Sequence, residues 1–74
     1  MTSAEAKERV GRHLLSRGYS RKDGQKHTYY VHPDGERRYM LTSRTIKPQK
    51  RFDWGWANVG RAASLIDVAR RLGE

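Results

Sequence analysis

Between His27 and Leu41 the chain runs His-Thr-Tyr-Tyr-Val-His-Pro-Asp-Gly-Glu-Arg-Arg-Tyr-Met-Leu, which gathers imidazole, phenol and guanidinium groups in one short stretch. Each has a use on a polynucleotide. Tyr29, Tyr30 and Tyr39 can stack on bases, and Arg37 and Arg38 can hold phosphates. An imidazole titrates near neutrality, so His27 is the candidate catalytic acid or base. Lys26, Arg37 or Arg38 would then stabilise charge developing at a phosphate, provided that they converge on it. His27 would be exposed, with a basic side chain near enough to share that phosphate. The histidines do not suggest a metal site. In an extended strand His27 and His32, five positions apart, face opposite ways, and no cysteine or well-spaced carboxylate accompanies them. No cofactor is implied.

A second basic group, Arg44, Lys47, Lys50 and Arg51, has no acidic counterweight before Asp53 and suits contacts to a sugar-phosphate backbone. The whole chain carries a formal net charge of +8 over 74 residues. Twelve basic residues lie from Arg9 to Arg51 against three acids, Asp23, Asp34 and Glu36, so the surplus is concentrated in the middle of the chain. A polyanion is the expected partner, because neutralising phosphates releases counterions. The absence of cysteine excludes disulfides and fits a cytoplasmic location. Apolar runs of only a few residues exclude a transmembrane helix or signal-peptide core, and no membrane partner is expected.

The elements that must position these groups follow from periodicity. Ala6, Val10 and Leu14 recur at helical spacing from about Ser3 to Arg17, with Leu15 broadening the stripe, Thr2 or Ser3 as cap and Gly18 as stop. Gly11 weakens that helix by about 1 kcal/mol relative to alanine. A short strand beginning at Tyr19–Arg21 and a hairpin turning at Pro33-Asp34-Gly35 come next. Proline presets φ there, aspartate bonds its own backbone and glycine takes the left-handed position. Residues 42–56, polar and broken by Pro48, read as a loop, and the aromatic pair Trp54 and Trp56 as core cover or exposed platform. A last helix gathers Val59, Ala62, Ala63, Leu65, Ile66, Ala69 and Leu72, capped by Asn58. The expectation is one α+β domain spanning 1–74, of order αβββα, with a three-stranded antiparallel sheet and both helices on one face. Which face of the hairpin is buried stays open.

Gly18-Tyr19 entering a strand, His27, and His32-Pro33-Asp34-Gly35 five residues later together resemble the HicA-type toxins, over residues 5 to 41 and more loosely the last helix. Gln25-Lys26 replaces that family's Gly-Ser, and the segment after Leu41 is longer. The resemblance implies a fold like a double-stranded RNA-binding domain, metal-independent mRNA cleavage using His27, and an antitoxin partner that covers it. Two other readings stand beside it. One is a DNA-binding module whose sheet enters the major groove, similar to the N-terminal domains of some phage integrases. The other is a phage-encoded protein that binds a host protein through its basic face.

Overall fold

The computed structural model describes residues 1–73. Helix α1 spans Ser3–Ser16, and its expected limits hold. Thr2 caps it by accepting a hydrogen bond from the Glu5 amide at 3.1 Å, and Gly18 leaves it at φ 90°. Ala6, Val10 and Leu14 are buried as their spacing predicts, whereas Leu15 turns to solvent.

The chain then forms an antiparallel meander: β1 (Ser20–Asp23), β2 (Thr28–Val31), β3 (Arg37–Leu41), β4 (Thr45–Phe52) and β5 (Gly55–Asn58). A two-residue β6 (Ala63–Ser64) pairs with the first residues of β4, and α2 (Leu65–Leu72) follows and packs against α1. The sheet therefore has six strands rather than three. Residues 42–56, read from sequence as a loop, hold β4 and the start of β5, two of the three extra ones. Pro48 concealed this. Its carbonyl accepts from Val59 at 3.1 Å, so its nitrogen faces the same outer side of β4, in the gap between the stretches paired to β6 and to β5. A strand tolerates proline where no ladder bond needs its N–H.

The last helix also starts later than its apolar spacing suggests. Ser64, not Asn58, is the cap, accepting from the Asp67 amide at 3.4 Å, and Val59 and Ala62 lie outside the helix. Ala63 is drawn instead into the ladder opposite Ile46.

The core consists of Ala6, Val10, Leu14, Tyr30, Leu41, Ile46, Leu65 and Ala69, with Tyr19 and Tyr39 packed beside it. Strand residues enter it in alternation, Thr28 and Tyr30 from β2, Tyr39 and Leu41 from β3, and Ile46 from β4, which settles which hairpin face is inside.

The β2–β3 turn is built as its residues predict. The Gly35 amide donates to the His32 carbonyl at 2.9 Å and Gly35 has φ 74°. Asp34 accepts from the Glu36 amide at 2.8 Å and from Arg37 Nε at 3.1 Å. The amide bond first, and Arg37 after it, holds the Asp34 carboxyl below its ordinary 3.8. A carboxyl depressed by folding stabilises the fold above its unfolded-state pKa and loses that contribution as pH falls through the folded value. In denaturant titrations at several pH values, the wild type's advantage over Asp34→Asn should be full at neutral pH and shrink away below about 3.8. An advantage independent of pH would assign the turn to geometry alone.

Candidate nucleic-acid interface

Alternation that sends Tyr30, Tyr39 and Ile46 inward sends their neighbours to the other face of the sheet. Partners across an antiparallel ladder share a face, so register gives its rows directly. Lys22, Tyr29, Met40 and Lys47 form one row across β1 to β4. Val31, Arg38, Gln49 and Asn58 form the next across β2 to β5, and Arg51 with Trp56 lies beyond. None of the strand positions on this face is acidic.

At its centre the Arg38 guanidinium lies 4.0 Å from the Tyr29 ring centroid and 4.3 Å from that of Trp56. Both aromatic faces attract the cation. Arg38 Nε donates to Gln49 Oε1 at 2.7 Å, and Gln49 Nε2 donates to Asn58 Oδ1 at 3.0 Å. The planar group is thus fixed in orientation, while its two terminal nitrogens have no hydrogen-bond partner among the described residues. Burial lowers the Arg38 pKa from its ordinary value, but a guanidinium remains charged at neutral pH. Gly24 helps to seat Tyr29: a Cβ there would come within 2.7 Å of the tyrosine ring.

The seven basic residues singled out from sequence divide by position. Arg38, Lys47 and Arg51 share the open face, where register adds Lys22. Arg37 and Lys50 are cross-strand partners on the opposite face, so the cations of the hairpin do not all converge. Arg37 is further engaged, with its Nη2 3.1 Å from Asp34 Oδ2 and 3.3 Å from His32 Nε2. Lys26 and Arg44 lie in the β1–β2 and β3–β4 turns, at one end of the sheet.

His27, expected to be exposed, is half-buried and lies where the chain reverses, its carbonyl accepting from the Gly24 amide at 2.8 Å. It immediately precedes β2, on the same alternation as Tyr29. Among the described residues nothing hydrogen-bonds or ion-pairs with its imidazole. The better-connected histidine is His32, which meets the Asp34 amide at 3.1 Å through Nδ1 and the Tyr19 ring edge-on at 5.1 Å between centroids. These contacts belong to the turn and the core margin.

Sequence reasoning missed Trp56 as a partner of Arg38, and Gln49 and Asn58 as members of this face. The alternation of Lys47, Gln49 and Arg51 was the available signal. The described residues hold no group of three or more metal-ligating side chains, and no helix is long and apolar enough to cross a membrane. Comparison with family models, with curated proteins and with solved structures finds no match to this chain.

Proposed function

We propose that the protein binds nucleic acid, RNA in the first place, across the open face of its sheet. The observation that carries this reading is the Tyr29–Arg38–Trp56 stack standing among Lys22, Lys47 and Arg51 with no carboxylate at the strand positions of that face. Aromatic faces accept unpaired bases, and the surrounding cations hold the backbone that joins them. The same face would serve a HicA-like protein with a fold akin to a double-stranded RNA-binding domain. In that reading His27, on the Tyr29 side of β2, would be the general acid or base of mRNA cleavage, acting on a strand already held by the face.

A second reading has an observation of its own. Arg38, Gln49 and Asn58 present a guanidinium and two amides in one row, the groups that read base edges in the major groove of duplex DNA.

Fluorescence anisotropy with single-stranded RNA, duplex RNA and duplex DNA at two salt concentrations separates these readings, with cleavage followed on the same RNA. Wild type should prefer single-stranded RNA and lose affinity as salt rises. In the combined variant Lys22→Gln, Lys47→Gln, Arg51→Gln, the slope of log K against log salt should flatten by about 2, at roughly 0.7 per lost phosphate contact. An unchanged slope would remove the open face as the binding surface. Preference for duplex DNA would favour the groove-reading alternative. Binding retained by His27→Ala with cleavage lost would support the ribonuclease, whereas cleavage unaffected by that change would dismiss His27 from catalysis.

A further inference from the structure

Beside the Tyr29–Arg38–Trp56 stack, the β4–β5 hairpin ends in a feature that the stack does not use. Phe52 and Trp54 lie parallel, 5.4 Å between centroids with 3° between planes, yet Trp54 remains 74% exposed. A tryptophan held against one ring and open on its other side is positioned, not merely displaced from the core. Its residues border an open cavity of about 500 Å³, lined among others by Trp54, Trp56, Val31, Lys22, Arg51 and Asp53. Small-ligand sites fall within roughly 300–1,000 Å³. The lining is chemically ordered, with two indole rings, the apolar side chains of Val31 and Phe52, two cations and a single carboxylate. Among the described residues Asp53 enters no ion pair or side-chain hydrogen bond, so its oxygens are free to accept.

The geometry points to this cavity as a slot for one unpaired guanine of a single-stranded RNA. The base would stack on the open face of Trp54, Asp53 would accept from its adjacent N1–H and N2–H donors, and Lys22 and Arg51 would hold the flanking phosphates. A carboxylate only accepts, so it pairs with an edge that offers two neighbouring donors. Guanine has that edge. Uracil, with one N–H between two carbonyls, would set an oxygen against the carboxylate, and cytosine and adenine each present a ring nitrogen acceptor beside their amino group. Selection would require the base to be unpaired, because pairing occupies the edge that Asp53 would read. The slot rests on the proposal that the open face binds nucleic acid, and adds to it a base preference and a strand state.

The test is binding of the full chain to labelled eight-nucleotide RNAs, an all-uridine strand and the same strand with one central guanine, adenine or cytosine. A hairpin with that guanine paired and the DNA equivalents complete the set. The guanine strand should bind about tenfold more tightly than the all-uridine strand, an effect lost in the hairpin. Asp53→Asn should bring the guanine-to-uridine ratio to within about twofold, and Trp54→Ala should weaken binding of the guanine strand about tenfold, the scale of one lost base stack. Circular dichroism should show both variants folded, since both side chains are exposed. Equal affinity for all four bases, or a guanine preference that survives Asp53→Asn, overturns the slot while leaving the open face as a binding surface. Tighter binding of the DNA strands overturns the assignment to RNA. No binding of any strand overturns both proposals.

Discussion

Gly11→Ala should lower the stability of this protein by about 1–3 kcal/mol, although helix propensity alone favours alanine there by about 1 kcal/mol. The reason is the other side of the helix wall. Tyr30, 5% exposed, is directed at Gly11 so closely that a Cβ would collide with its hydroxyl and lie 2.9 Å from its Cζ. Neither end of this contact is free to give: α1 is held by Val10 and Leu14 in the core, and Tyr30 by its place in the middle of the sheet. Accommodating a methyl group would push the helix off the sheet or the ring off its rotamer, and overpacking of this kind costs more than the propensity gain returns. For a domain of this size each kcal/mol corresponds to roughly 4–8 °C in melting temperature, so a thermal melt reads the effect easily. Pairing the change with Tyr30→Phe, which removes the nearest clashing atom, should recover part of the loss. The two substitutions should then couple by more than about 0.5 kcal/mol. A melting temperature that rises in Gly11→Ala would mean that the helix and sheet are not in contact at this point.

The same glycine shows what sequence can and cannot reveal. Composition and spacing locate α1 to within a residue, because three apolar positions, a cap and a terminal glycine agree with one another. Read within its helix Gly11 is only a weak spot, and its purpose appears once Tyr30 is placed across from it. The β2–β3 turn was legible for the same reason as the helix: Pro33, Asp34 and Gly35 each act on their own backbone. The β4–β5 hairpin was not, since Ile46 is the only buried hydrophobic residue of β4 and a proline sits two places on. Its strand character comes from pairing with β3, a long-range property. Misplacing the start of α2 has a similar origin. Val59, Ala62 and Ala63 fit a helical stripe, but Ile46 recruits Ala63 to the sheet and Ser64 provides the competing cap. The candidate site suffered most, because a net charge says how many cations there are and only the register says which face each takes. Adjacent Arg37 and Arg38 look equivalent in the chain, yet one ends beside Asp34 and the other between two aromatic rings.

That difference gives Arg38 the largest expected effect on binding. Its charge alone is shared with Lys22, Lys47 and Arg51, but its fixed plane is not. The guanidinium spaces Tyr29 from Trp56, and its Nε bond to Gln49 prevents rotation, leaving the terminal N–H groups available for a phosphate or a base edge. Arg38→Ala would remove a cation and also free both rings, so affinity for single-stranded RNA should fall by roughly ten- to a hundredfold. Arg38→Lys is the more informative change. Lysine keeps the positive charge but has no planar face to lie between two rings and no Nε–H to offer Gln49, and an ammonium holds its water more strongly. If the stack organises the surface, Arg38→Lys should bind nearly as poorly as Arg38→Ala. Its salt slope should nevertheless stay close to that of the wild type, because the number of phosphates neutralised is unchanged. Tryptophan emission gives a second reading of the same event, since Trp56 loses the guanidinium against its ring in both variants while exposed Trp54 keeps Phe52. Wild-type affinity in Arg38→Lys would reduce the centre of the sheet to one more point charge. The face would then bind by its cation count, and the order of its side chains would have to be explained by stability instead.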